Sequence, residues 1–200
     1  MSDSADLQRL RVLEAENVEL KRMVETLKAE NERLEALASV DSLTGLYNRR
    51  TFDDRLVLEI KRARRGVGKP ISLIVFDLDY FKVINDTYGH PAGDEVLRCV
   101  GKIVQDRVRL SDTFARVGGE EFGLVLPATG ILKARALAEE LRSLIEHHAV
   151  RLSEEYTIKV TASFGVVEWD EKMEPLLFFK EADLCLYKAK KSGRNCVESS

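Results

Sequence analysis

Apolar residues in the first forty positions recur at alternating spacings of four and three, and the pattern then changes character near Asp41. Between about Ala5 and Ser39 there is neither Gly nor Pro. Leu13, Leu20, Leu27 and Leu34 occupy one heptad position, and Leu10, Asn17, Val24, Asn31 and Ala38 the other. Glu, Lys and Arg fill the rest of the face. So narrow a stripe predicts a parallel dimeric coiled coil over residues 1–40 with Leu at d. Asn17 and Asn31 sharpen the prediction, because a buried amide is costly unless it meets its own copy in register. In such a homodimer Arg9 faces Glu14 and Glu16 faces Lys21, whereas Glu30 facing Glu35 is repulsive. The end of the coil next to the following domain is therefore the less firmly zipped, and a signal could be transmitted there.

From Asp41 onward helical and strand-like patterns alternate. Arg49 to Arg65, Ala92 to Val108, Ile131 to His147 and Pro175 to Lys191 read as helices. Ile71 to Phe76 reads as a buried strand, the segments around Phe114 and Phe122 as a hairpin, and Thr157 to Trp169 as strand-rich. The β-α-β-β-α-β order after a leading helix predicts an α+β domain over residues 41–200. Its natural form is a ferredoxin-like sheet, antiparallel at its centre, with helices over one face.

Composition narrows the function. With 200 residues, 44% of them hydrophobic, the chain can build one medium core plus an extension. A net charge of −3 argues against a nucleic-acid-coating protein. The one dense basic run, Lys61 to Arg65, ends a predicted helix, where cations suit the helix dipole. Ser2 to Gln8 carries two aspartates and no cation, so the basic region of a zipper transcription factor is absent. No apolar run reaches membrane-spanning length, and the first residues lack a signal peptide's pattern. Cys99, Cys185 and Cys196 are scattered and odd in number, which fits small core residues in a reduced cytoplasm.

The chemistry concentrates in Arg116-Val117-Gly118-Gly119-Glu120-Glu121-Phe122. Paired glycines allow a tight hairpin tip with room for a ligand. Paired carboxylates offer the hard oxygens that Mg²⁺ takes. A solvated acidic hairpin would look the same. Asp77 comes straight off the predicted buried strand, where an acid is expensive unless paired or metal-bound. Asp79 could cap the turn that follows. Backbone amides opening that short helix suit a triphosphate, and Lys82 adds a charge. With the hairpin beside this strand, Asp77 and Glu120 could share divalent cations, as in phosphoryl and nucleotidyl transfer. Asn85 and Asp94 have the donors and acceptors to read guanine, and are equally plausible as turn and cap residues. Arg109 and Asp112 could be a helix-end pair.

Together these segments resemble the GGDEF-domain family, the diguanylate cyclases. The resemblance covers Asp41 to about Val197: Asp41 to Arg50, Phe76 to Lys82, Asn85-Asp86, Gly89-His90, Gly93-Asp94, the Gly-Gly-Glu-Glu-Phe hairpin in its GGEEF form, Ala182-Asp183-Leu184 with Tyr187, Ala189-Lys190 and Gly193-Arg194-Asn195. It implies a palm-like, nucleotide-cyclase-like sheet that condenses two GTP into cyclic di-GMP with release of pyrophosphate. It implies Mg²⁺ or Mn²⁺, two per half-site, on Asp77, Glu120 and the Leu78 carbonyl. Glu120 is then the proton acceptor assisted by Glu121, and Lys82 the transition-state stabiliser. Phe81 and Lys82 amides would cradle phosphate, Asn85 and Asp94 bind guanine, and Lys190 and Arg194, one turn apart on the last helix, bind the triphosphate. Arg109 to Asp112 resembles the family's product-inhibition site. One GTP per domain makes two facing domains necessary, and the zipper would raise their effective concentration. No recognisable sensor precedes the coil, so an upstream sensor or partner protein would supply the input. Two rivals share these features: a catalytically silent cyclic di-GMP receptor on the same fold, and a coiled-coil adaptor.

Overall fold

The computed structural model describes residues 9, 13–14, 16–28, 30, 39–152 and 156–200. The chain divides into two units, Met1–Ser39 and Val40–Ser200. In the first, α1 is helical at residues 16–28, and Leu13, Leu20, Val24 and Leu27 are all exposed on the single chain. The heptad positions Leu10, Asn31, Leu34 and Ala38, and Glu35, lie outside the described residues.

The second unit runs α2 (Arg49–Arg64), β1 (Ser72–Leu78), α3 (Phe81–Tyr88), α4 (His90–Gln105), β2 (Thr113–Arg116), β3 (Glu121–Leu126), α5 (Ile131–His147), β4 (Ala149–Arg151), β5 (Thr157–Lys159), β6 (Ala162–Glu168), α6 (Pro175–Lys191) and β7 (Val197–Ser199). Local signals explain the helix ends. The Asn48 side chain accepts from the Thr51 amide to cap α2, and Pro175 opens α6 where no amide donor is needed. Five strands form one sheet in the order β2-β3-β1-β6-β7; β4 and β5 pair separately. β1 is antiparallel to both neighbours, and only β7 joins parallel, so the expected antiparallel-centred α+β sheet is present.

The expected single helical layer is not. One core cluster joins α4 and α5 to the Ile74, Phe76 and Leu78 face of β1; a second joins α2 and α6 to its Leu73 and Val75 face. Every residue of β1 is buried, which is what two covered faces require. The two faces are built differently. On the first, the rings of Phe164, Phe76, Phe122 and Phe114 form a stacked row, with centroids 4.8 to 5.9 Å apart between neighbours. On the second, Val75 is flanked in register by Gly123 and Gly165. Phe52 of α2 lies against Gly123, and the α6 backbone at Ala182 and Leu186 lies against Gly165.

A Cβ at Gly165 would overlap the Ala182 carbonyl and the Leu186 amide, and backbone cannot step aside as a side chain can. Gly165→Ala is therefore expected to destabilise the domain by about 3 kcal/mol or to displace α6. Urea unfolding within ~0.5 kcal/mol of wild type would show that α6 is not seated on this strand.

Candidate active site

The site grows from the end of β1. Antiparallel pairing sets Asp77 opposite Glu121 on one side and Ser163 on the other, and the Leu78 amide donates to the Glu120 carbonyl at 3.2 Å. The hairpin acids thus stand beside Asp77. Asp77 is buried at 5% exposure, and its carboxylate takes the Lys190 ammonium at 2.8 Å. Burial lifts its pKa to about 6; the Lys190 bond and charge oppose the lift, and Glu120 and Glu121 add to it. Burial also raises Glu120, against the pull of Lys190 and with the push of Glu121. Lys190 therefore faces two acids.

At the hairpin tip neither glycine adopts a left-handed conformation. Gly118 is bare because a Cβ there would overlap the folded-back Glu121 carboxylate, while the Cα of Gly119 faces open space. Arg116 holds the tip: its Nε and Nη2 donate to the Gly119 carbonyl at 3.2 and 2.7 Å, and Nη1 donates to both Asp41 oxygens at 3.2 and 3.1 Å. Burial raises the Asp41 carboxyl, but bonds from Thr44 and the Arg116 guanidinium outweigh it and leave the pKa lowered. Sequence reasoning missed this clasp. Its signal was present in the Arg two residues before the glycine pair.

Tyr80, left-handed at φ 56°, opens α3 and turns the chain out of the sheet. The Val83 and Ile84 amides return to the Tyr80 carbonyl; among the described residues no acceptor takes the Phe81 or Lys82 amide. Those two donors and the exposed Lys82 side chain are what a phosphate cradle needs. The Asn85 side chain lies against Gly93, where a Cβ would overlap it, one residue before Asp94.

Two expectations change. Asp79 does not cap a helix: it is buried and accepts from Thr161 Oγ1 at 2.7 Å, Ser163 Oγ at 2.7 Å and the Asn195 amide at 3.0 Å. Three donors aimed inward make it an internal anchor. Arg194 does not continue α6, which ends at Lys191; it lies in the following turn at φ 64° with its guanidinium 4.6 Å over the Tyr80 ring. Asn195 fixes that turn, receiving Arg142 at 3.0 Å and donating to Glu146 at 2.8 Å. Asn195, Arg142 and Glu146 went unassigned in the sequence because α5 and the last turn are far apart along the chain.

Away from this site, Arg109 and Asp112 line a cleft of about 350 Å³ with Gln105, Gly45, Tyr47 and Phe114. The Asp112 carboxylate accepts the Arg109 amide at 2.9 Å, so the pair does close the turn after α4. It leaves the Arg109 guanidinium without a partner among the described residues.

Among the described residues no group of three or more His, Cys, Asp or Glu side chains forms a metal cage. Asp77 and Glu120 nonetheless suit Mg²⁺, which binds one or two carboxylates and completes its shell with water and substrate phosphate.

Residues 38–196 match the family described as diguanylate cyclase, GGDEF domain. The chain belongs to this family. The chain is 41% identical over 92% of its length to the diguanylate cyclase VdcA of Vibrio cholerae, and 37% identical over 98% to the response regulator PleD of Caulobacter vibrioides. The chain spans 52% and 44% of those relatives, about half their length. In structure it is similar to the coiled coil and GGDEF domain of DgcB from Caulobacter crescentus in complex with c-di-GMP, with TM-score 0.85, 33% identity, and 94% and 99% of the two chains covered. It is also similar to the active GGEEF domain of a diguanylate cyclase from Vibrio cholerae, with TM-score 0.70, 35% identity, and 76% and 96% covered.

The raised Asp77 pKa has a thermodynamic sign. Folded protein holds this proton more tightly than unfolded protein, so the group's contribution is fully present below about pH 4 and is lost as pH rises to about 6. In metal-free protein the Asp77 carboxyl ¹³C shift is expected to titrate near 6. Stability relative to Asp77→Asn should fall across that window and level off above it. A midpoint near 4 would mean that Lys190 offsets burial in full.

Proposed function

We propose that this GGDEF domain is a diguanylate cyclase that condenses two GTP into cyclic di-GMP, releasing pyrophosphate, with one GTP held by each of two facing domains. The observation that carries this reading is the meeting of buried Asp77 with the Glu120–Glu121 tip and Lys190 at adjacent strand ends. In each bond-forming step the 3′-oxygen of one GTP attacks the α-phosphorus of the other. The bond to the pyrophosphate oxygen breaks, and the hydroxyl proton passes to the Glu120 carboxylate, with Glu121 assisting. The Phe81 and Lys82 amides cradle the phosphates, and the Lys82 ammonium stabilises charge developing on the transferred phosphoryl. Lys190 and Arg194 converge on the triphosphate from α6 and the turn after it. Asn85 and Asp94 hold guanine. Asp77, Glu120 and the Leu78 carbonyl would hold Mg²⁺ or Mn²⁺, two per half-site, whose charge would offset that of the triphosphate when bound.

Residues 1–40 form a parallel homodimeric coil in this proposal, and residues 41–200 the catalytic domain in its GGEEF form. The exposed Leu13, Leu20, Val24 and Leu27 support the coil, since such a stripe on one helix calls for a partner. DgcB offers a parallel for a coil joined to a GGDEF domain, and SiaD from Pseudomonas aeruginosa, described in complex with its activator SiaC, for a protein partner as input. Arg109 and Asp112 take cyclic di-GMP as a product inhibitor, with the free guanidinium gripping a guanine edge or phosphate. Among the described residues no helix is long and apolar enough to cross a membrane, and the three cysteines are free. A cytoplasmic setting accords with both.

Incubation with GTP and Mg²⁺ is expected to yield cyclic di-GMP, and Glu120→Gln to lower the rate at least ~100-fold. No product from wild type at any enzyme concentration would leave the silent receptor as the better reading. Arg109→Ala is expected to weaken product inhibition at least ~10-fold, the worth of one charge-assisted contact, without lowering the uninhibited rate. Unchanged inhibition would remove Arg109 from that site.

A further inference from the structure

The Lys190 ammonium does something that a triphosphate contact alone would not require. It lies 2.8 Å from Asp77 Oδ2, and its charge also acts on Glu120. The two acids proposed to hold the divalent cation are therefore already served by a cation belonging to the chain. The stripe Phe178, Ala182, Leu186 and Lys190, spaced four apart on α6, delivers that ammonium, and the tight seat of α6 on Gly165 fixes its approach. Asp77, almost fully buried, would otherwise be an unpaired acid at a strand end.

We propose that Lys190 is an internal competitor for the metal site: it occupies Asp77 in the nucleotide-free domain and yields only when a triphosphate offers it a better partner. This rests on the reading of Asp77 and Glu120 as metal ligands and adds an order of loading to it. A dication binding to Asp77 must take the carboxylate oxygen from Lys190 and tolerate a positive charge a few ångströms away. Free metal thus meets both competition and repulsion. A metal–nucleotide complex stays net negative after the dication is counted, so the ammonium can swing from Asp77 to a phosphate oxygen without losing an anionic partner. The site takes metal with nucleotide rather than before it. Lys190 in this role discriminates between free and nucleotide-bound metal through charge. It also keeps the half-site neutralised between turnovers.

The test uses the full chain without nucleotide, with Mn²⁺ alone as probe, and reads bound metal from loss of the free-ion electron paramagnetic resonance signal. Lys190→Met is expected to bind Mn²⁺ at least ~10-fold more tightly than wild type, as removal of one nearby charge predicts. Lys190→Arg, which keeps the charge and can pair with the carboxylate, should stay within ~3-fold of wild type. Lys190→Gln stands in should the Met variant fail to fold, and circular dichroism checks both. If neither neutral variant tightens Mn²⁺ binding while Asp77→Asn in the same background abolishes it, the competitor role is overturned and the metal reading survives. If Asp77→Asn and Glu120→Gln leave Mn²⁺ binding untouched in every background, both fall.

Discussion

The whole site depends on how closely α6 can approach the sheet. At Gly165 no side chain separates strand from helix, and the helix rests on backbone. That contact sets the height of the helix above β6 and, through register, above Val75 of β1. One face of β1 then reads Leu73, Val75, Asp77, and the facing stripe of α6 reads Phe178, Ala182, Leu186, Lys190. Both are apolar until their last member, and both change to charge at the same end. A bulkier residue at 165 would lift the helix, and the ammonium would no longer reach the carboxylate. Packing in the middle of the sheet thus fixes electrostatics at its edge.

Charge at that edge is managed in separate compartments. Asp77, Glu120 and Glu121 crowd together, and Lys190 faces them. Asp79, two residues on from Asp77, points into the protein and is satisfied by hydroxyls and a backbone amide. Asp41 is satisfied by Arg116 and Thr44. Alternation along an extended strand would put Asp77 and Asp79 on one face, but β1 ends at Leu78, and the chain turns at Tyr80. That break gives two nearby aspartates different work. Asp79 ties β6 and the turn carrying Arg194 to the strand end, and Asp77 is left to face Lys190 and the hairpin acids.

These origins explain what could be read from the sequence. Helices such as Ile131 to His147 and Pro175 to Lys191 appear at their predicted limits, because periodicity and a Pro at the first turn are local signals. The hairpin and the buried strand were legible for the same reason. The two-sided layering was not, since a short apolar run does not say how many faces are covered. Asp79 misled because an Asp after a strand reads as a cap until its distant donors, Thr161, Ser163 and Asn195, are known. Arg194 misled because a four-residue spacing from Lys190 looks helical, while Gly193, at φ 110°, ends the helix between them. Lys190 carried a signal that went unused: a lysine completing an i, i+4 apolar stripe points toward a buried acid.

Among the described residues, no buried side-chain polar atom lacks a partner. That satisfaction bears on the proposed pairing of two chains. A half-site that required its twin to neutralise Asp77 would couple folding of the domain to dimerisation, and the domain would be unstable alone. Here the anion, its counter-charge and the anchor for the last turn all come from one chain. In the proposed cyclase, association then has only the reaction to serve: bringing a second nucleotide to the first at the correct angle. The proposed coil would suit that task by raising local concentration. Proximity alone does not orient a 3′-hydroxyl against an α-phosphorus. Under the proposed function, rate control would therefore act on the relative geometry of two complete half-sites, while each keeps its own fold and charge balance intact.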